Sequence, residues 1–169
     1  MREQLSSWHV AIAAEAATAM LFARCGWDVS VQYGANQPEY DLVAVRADAI
    51  LKVSVKGTQM AGWGLAQAFV RKADYHRAIN IWLERHKPHT ALCLVQFKNV
   101  PLSVMPRVYL ATPKEIAKRL HASAGGRGSA TLYQKQVWGP RAAGAGTVDE
   151  VPDSWLFTPE RVAEVYRAA

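Results

Sequence analysis

Apolar residues near the start of the chain recur with the spacing of a helix. Residues 5–24 are rich in alanine and lack glycine and proline, and Gly26 follows as a stop signal, so they predict one helix that Ser6 or Ser7 can cap. At about 100° per residue, one stripe of this helix collects the apolar residues Trp8, Ile12, Ala19 and Phe22. Glu15 lies in the middle of this stripe. Either its aliphatic stem lies along the stripe and carries the carboxylate out to water, or the carboxylate belongs to a functional site.

After Gly26 the pattern changes to the two-residue alternation of strands. Residues 27–33 and 40–45 predict two strands, residues 46–49 a polar turn, and residues 51–56 a third strand. Because side chains alternate across a strand, Lys52, Ser54 and Lys56 share one face of the third strand.

Helical and strand patterns continue beyond residue 60. Residues 74–85 predict an amphipathic helix, and the apolar runs 92–97 and 108–111 predict strands. Thr112-Pro113 and Thr158-Pro159 have the residue types that open helices, which we expect to extend to Leu120 and Tyr166. The order helix, three strands, helix, strand predicts an α/β fold.

Composition indicates the number of domains, the class of partner and the cellular compartment. The 169 residues are half hydrophobic, which predicts one domain with its own core, and a formal net charge of +6 favours an acidic partner such as nucleic acid. Cys25 and Cys93 lie in apolar runs without metal-ligand spacing, which is typical of buried thiols in a reducing cytosol. Glu3 and Glu15 interrupt the N-terminal apolar run, and no segment is apolar enough to span a membrane, so we expect a cytoplasmic protein.

Asp41 is the residue whose position most needs an explanation. It shares its strand face with Val43 and Val45, where a carboxylate loses hydration unless it gains a partner. A cation, either a lysine or a metal ion, is the natural partner.

An aspartate on one strand, a hairpin, and a lysine at the end of the next strand form a motif that resembles the PD-(D/E)xK nucleases. This restriction-endonuclease-like superfamily includes Holliday-junction resolvases and some homing endonucleases. In this chain the motif comprises Pro38, Asp41 and Ser54-Val55-Lys56. Ser54 departs from the pattern, because the family has an acidic residue or glutamine there.

The resemblance implies a fold, a reaction and a cofactor. It implies an α-β-β-β-α-β core with a mixed central sheet flanked by helices over residues 5–120, within a single domain 1–169 whose C-terminal extension of loops and a helix spans 121–169. It implies Mg²⁺ or Mn²⁺ held by Asp41 and by Glu15, which matches the acidic residue that resolvase-like members carry on the first helix. Lys56 would position or activate water, and Gln59 could partly replace the ligand that Ser54 lacks. A homodimer is implied in the same way.

Several residues are candidates for DNA contact. Arg127, Lys135 and Arg141 lie in or between two glycine-rich segments, which are either solvated loops or basic loops that bind phosphates, and Lys52 shares the face of Lys56. Trp63, between two glycines, is either a core residue or a base-stacking platform. The five histidines lack a trusted ligand spacing, so we expect no zinc site.

Three functions remain open from the sequence. The first is a metal-dependent DNA endonuclease. The second is a degenerate nuclease-fold module that binds DNA or protein without catalysis, which Ser54 favours. The third is a structural domain in which Asp41 and Lys56 pair with each other.

Overall fold

The computed structural model describes residues 5–32 and 39–169, and Pro38 of the motif lies outside these ranges. The described chain forms four α-helices, which are α1 (Ser7–Arg24), α2 (Tyr75–Glu84), α3 (Pro113–Gly126) and α4 (Pro159–Ala168). Its strands are β1 (Asp28–Val31), β2 (Leu42–Arg46), β3 (Ala49–Thr58), β4 (Gly62–Trp63), β5 (Thr90–Gln96), β6 (Arg107–Ala111), β7 (Leu132–Tyr133), β8 (Lys135–Val137) and β9 (Val148–Glu150).

Five strands form a mixed sheet in the order β1-β2-β3-β5-β6. The pairs β1–β2, β2–β3 and β5–β6 are antiparallel, and β3–β5 is parallel. A parallel pair needs a long crossover, and α2 supplies it. The predicted α/β fold with a mixed sheet flanked by helices is therefore confirmed.

The helices bury the two faces of this sheet separately. One apolar cluster joins Phe22 of α1 and Val165 of α4 to the sheet. The other joins Ile79 of α2 and Ile116 of α3 to the opposite face. The sheet is thus the middle layer of the described molecule, and a residue on it faces either α1 and α4 or α2 and α3.

The predicted apolar stripe of α1 is wrong in its orientation. The buried residues of this helix are Val10, Ala14, Thr18 and Phe22. Trp8 and Ile12 are instead 66% and 44% exposed. Phe22 belongs to both the predicted and the buried set, and the close approach of α1 to the sheet is confined to Val10 and Ala14.

Gly57 of β3 permits that close approach. A Cβ atom at this position would lie 2.8 Å from the Cβ atom of Ala14 and 2.9 Å from the carbonyl oxygen of Val10. Real Cβ atoms do not come that near to other heavy atoms, so α1 rests on backbone at this point. Glu15 follows Ala14 directly, which sets its carboxylate beside the end of β3.

The central strands have different bounds from those predicted. β2 begins at Leu42, one residue after Asp41, and β3 continues to Thr58 instead of ending at Lys56. β3 is longer because its parallel pairing with β5 persists to Thr58 and Gln96, after β2 has stopped pairing at Leu42 and Val53. One edge of β3 is consequently left without a neighbouring strand from Ser54 onward.

The C-terminal part is tied to the core by buried polar groups. Arg161 of α4 is 8% exposed and binds both carboxylate oxygens of Glu115 on α3, each at 2.8 Å. Glu115 also completes the capping box with Thr112, as the sequence predicts. α3 runs past the predicted end at Leu120 to Gly126, although its backbone leaves helical geometry from Ser123 onward.

Candidate active site

Asp41 is held where β2 and β3 stop pairing. Its N–H donates to the carbonyl oxygen of Val53 at 2.9 Å, and its Oδ2 accepts the N–H of Val55 at 2.5 Å. The Ser54 hydroxyl donates to the same oxygen at 3.5 Å, the limit of a hydrogen bond. The carboxylate therefore satisfies the unpaired edge of β3 with Oδ2, and its Oδ1 forms no hydrogen bond with any described residue.

Glu15 reaches the same end of β3 from α1. Its side chain is half-buried and forms no hydrogen bond with the residues that the structure describes. Burial raises the pKa of the Glu15 carboxyl, the negative charge of Asp41 raises it further, and the positive charge of Lys56 partly offsets both effects. Both charges therefore lie close enough to act on the Glu15 carboxyl.

Lys56 is an exposed cation beside the two carboxylates. Among the described residues it forms neither a hydrogen bond nor an ion pair, so the direct pairing with Asp41 that a structural role requires is not formed. Its neighbour in the motif, Ser54, is 2% exposed and lies on the same face of β3. The ammonium group is thus available to an anion from solvent.

The donor set suits a hard divalent cation but is small. Carboxylate oxygens are the ligands that Mg²⁺ prefers, and this ion keeps several waters when protein ligands are few. No group of three or more acidic, histidine or cysteine side chains suited to a metal ion occurs in residues 5–32 and 39–169. Burial, and to a smaller extent the charge of Asp41, raise the pKa of the Glu15 carboxyl, and a cation held between the two carboxylates would offset both effects.

Gln59 lies near this end of β3 but its amide is engaged elsewhere. Its Nε2 donates to the carbonyl oxygen of Leu5 at 2.6 Å, and its Oε1 accepts the N–H of Leu5 at 3.2 Å. Gln59 therefore fixes the chain just before α1. A role as a replacement ligand stays a prediction, and it requires this pair of hydrogen bonds to break.

Two residues that the sequence interpretation did not assign lie close to the site. Glu39 accepts the N–H of Lys87 at 2.6 Å, which brings the loop after α2 beside the segment that leads to Asp41. Burial lowers the pKa of His86 in that loop, and the positive charge of Lys56 lowers this pKa further. The hydrogen bond to the Trp82 carbonyl oxygen and the negative charge of Glu39 act in the opposite direction. Glu39 and His86 are far apart in the chain, so only the sheet topology brings them together.

The predicted DNA-contacting residues differ in their surroundings. Lys52 lies over the ring of Tyr40, with Nζ 5.6 Å from its centroid. Arg127 and Arg141 are exposed, whereas Lys135 is paired with Glu150 at 3.2 Å.

Trp63 is a core residue and not an exposed stacking platform. It is 3% exposed, donates from Nε1 to the carbonyl oxygen of Val95 at 3.3 Å, and packs edge-on against Tyr109. β4, which contains Trp63, pairs with β7, and Leu132 of β7 belongs to the same apolar cluster as Trp63. A base cannot stack on this ring unless the core opens.

Within residues 5–32 and 39–169, no helix has the length and apolar character needed to cross a bilayer.

Comparisons with known proteins identify no relative of this chain. No family model, no curated protein and no solved structure matches the chain.

Proposed function

We propose that this protein is a divalent-metal-dependent endonuclease that hydrolyses phosphodiester bonds of DNA, and that it is similar to the PD-(D/E)xK nucleases. The observation that carries the proposal is that Asp41 is bound to β3 where this strand loses its neighbour, one residue before Lys56, and that the charges of Asp41 and Lys56 both act on Glu15. The net charge of +6 supports an anionic substrate. Free Cys25 and Cys93 support a reducing, cytoplasmic setting.

Each group has a role in the proposed reaction. Glu15 and Asp41 would hold the ion, and the hydrogen bond from Val55 fixes the Asp41 carboxylate in position. A bound divalent ion would polarise the scissile phosphate and make a water more acidic. Lys56 stabilises the negative charge that develops on the phosphate oxygens while water attacks phosphorus and the bond to the leaving oxygen breaks.

The second candidate is a nuclease-fold module that binds DNA or a protein without cutting. Ser54 favours it, because a neutral hydroxyl stands where the resemblance calls for a further ligand and because it already donates to Asp41. With one negative charge fewer, the site binds a divalent cation more weakly. A homodimer, which would let both strands be cut, is part of the first proposal.

Cleavage assays on supercoiled plasmid and branched DNA with Mg²⁺ or Mn²⁺ separate these functions. We expect metal-dependent cleavage that falls by about 100-fold or more in Asp41→Asn and Lys56→Ala, as is usual when a group that stabilises transition-state charge is lost. Asp28→Asn on β1 and the exposed Lys98→Ala are matched controls that should cut normally. Binding without cleavage by the unmodified protein supports the second candidate, and neither activity refutes both.

Position 54 gives the sharper comparison. Ser54→Glu should increase the cleavage rate if the missing charge limits metal binding, whereas Ser54→Gln, of similar size and without charge, should not. A rate in Ser54→Glu no higher than that of the unmodified protein would show that the serine is not the limiting feature, and equal gains in both variants would show that a ligand oxygen, and not its charge, is missing.

A further inference from the structure

A cleft lies at one end of the sheet, where the C-terminal ends of α2 and α4 meet the N-terminal end of α3. It has a volume of about 270 Å³ and opens between the C-terminal end of α2 and the N-terminal end of α3. Its polar lining comes from His86, Lys87, Thr90 and Lys114, and Leu83 contributes part of its apolar wall. The carboxylates proposed to hold the metal do not line it.

Thr90 is the residue that points to a ligand. It is 1% exposed, and its Oγ1 is the one buried side-chain polar atom in the described chain that has no hydrogen-bond partner. Thr90 alternates in step with Leu92 and Leu94 of β5, which pack against α2 and α3, so its side chain projects toward the cleft. Buried hydroxyl groups are nearly always satisfied, and an unsatisfied one beside a cleft indicates a partner from outside.

The charged side chains of the cleft favour an anion. Lys87 and Lys114 are exposed cations at its rim, and no aspartate or glutamate side chain among the described residues lines it, whereas the C-terminal ends of α2 and α4 add negative partial charge from backbone carbonyl groups. In the first turn of α3, Pro113 has no N–H and the capping box uses those of Thr112 and Glu115. The N–H of Lys114 therefore remains as a donor at the positive end of the helix.

The shape of the cleft restricts the anion further. Its volume lies just below the usual range for small-molecule sites, so it suits a ligand smaller than a dinucleotide. Leu83, Pro113 and Ala168 offer apolar surface that a bare inorganic ion would not use. A phosphate monoester that carries an organic group matches both the cationic rim and the apolar wall, and a nucleotide is the ester of this class that the proposed function brings to the protein.

We propose that this cleft binds the phosphate monoester of a nucleotide, with Thr90 and Lys114 as its main contacts. Two sources have this chemistry, a free mononucleotide and the 5′-phosphorylated end of a nucleic acid. Thr90 pairs with Lys52 of β3. Ser54 lies two residues after Lys52 on the same strand, which places their Cα atoms about 7 Å apart at the rise of a strand. The binding site is therefore a neighbour of the candidate active site, but its existence does not depend on DNA cleavage.

Isothermal titration calorimetry with thymidine 5′-monophosphate, inorganic phosphate, and a six-nucleotide thymidine oligomer with or without a 5′-phosphate tests the proposal. We expect at least one nucleotide ligand to bind, and Thr90→Val and Lys114→Ala to weaken it by about tenfold each, the usual effect of losing a hydrogen bond to a charged group. Lys118→Ala, an exposed lysine one turn further along α3, should leave the affinity unchanged.

The outcomes are distinct. Binding of the mononucleotide, with no preference for the phosphorylated oligomer, assigns the cleft to a free nucleotide, and a preference for the phosphorylated oligomer assigns it to a nucleic-acid end. Absence of binding at millimolar concentration, equal affinity for inorganic phosphate, or unchanged affinity in both variants overturns the proposal. Thr90→Val removes an unsatisfied hydroxyl and keeps the shape of the side chain, so a thermal melt should confirm that this variant folds.

Discussion

At the scale of single residues, the negative charge of Glu15 lowers stability, although the proposed function requires it. The pKa of its carboxyl is raised by burial and by Asp41. A carboxyl with a raised pKa in the folded state favours folding below its unfolded pKa, and this contribution is lost as the pH rises through the folded value. The contribution of Glu15 to the free energy of unfolding therefore decreases as the pH rises.

Glu15→Gln should separate the two effects. Without divalent ions at pH 7.5, we expect its Tm to exceed that of the unmodified protein by roughly 1–3 °C, because the substitution removes a half-buried charge that Asp41 also repels. The difference should shrink at pH 4, where Glu15 gains a proton in the unmodified protein, and metal-dependent cleavage should be lost. Glu84→Gln, at the exposed end of α2, is the control for removing a carboxylate. A variant with a lower Tm than the unmodified protein at pH 7.5 would contradict this account of the site.

At the scale of secondary-structure elements, the contact between α1 and β3 determines whether the site is assembled. Gly57 lets the helix lie directly on the strand, with Ala14 and Val10 against its backbone. Asp41 and Lys56 belong to the sheet, whereas Glu15 belongs to the helix. A change in the distance between these layers moves one carboxylate relative to the other groups.

Gly57→Ala should therefore weaken both folding and cleavage. The added methyl group must push α1 away from the sheet, and overpacking of this kind typically costs about 1–3 kcal/mol. We expect the Tm to fall by roughly 2–10 °C and the cleavage rate to fall by about tenfold or more through the displacement of Glu15. Gly64→Ala is the matched control, since its nearest neighbouring atom would be 3.8 Å away. Unchanged Tm and rate in Gly57→Ala would show that the helix and the strand have more room than the structure gives them.

At the scale of the whole molecule, local patterns predicted the order of the elements better than their packing. The alternation of β3 and the capping residues before α2, α3 and α4 are local signals, and each of these elements is formed. The buried face of α1 depends instead on Gly57, which is distant in sequence, and so the large side chains of Trp8 and Ile12 misled the prediction. Trp63 is a core residue for a similar reason, because the distant β7 pairs with β4 and adds Leu132 to the same apolar cluster.

For the candidate site too, local sequence patterns related some of the residues and missed others. Asp41 and Lys56 flank one hairpin, so strand alternation was enough to relate them, and Glu15 required only that the first helix pack on that hairpin. His86 and Thr90 come near β3 through the parallel pairing of β3 with β5, which no local window of sequence reveals. The cleft that they line was consequently not predicted.

The distribution of positive charge gives the last prediction, which concerns DNA binding by the whole surface. Each cation that neutralises a phosphate adds close to one unit to the slope of log affinity against log salt concentration. Lys52→Ala, Arg127→Ala and Arg141→Ala should each reduce that slope by about one. Lys135→Ala should reduce it by less, because Glu150 at 3.2 Å already offsets the charge of Lys135.

Fluorescence anisotropy with labelled duplex DNA, in the Asp41→Asn background to prevent cleavage, measures these slopes over a series of salt concentrations. Glu150→Gln provides the complementary test, because it releases Lys135 and should increase the slope. Lys98→Ala, outside the glycine-rich segments and outside the proposed site, should leave it unchanged. Affinity that does not depend on salt, or equal slopes in all of these variants, would mean that the predicted basic residues do not contact DNA, and the surface that the substrate uses would then have to lie elsewhere on the protein.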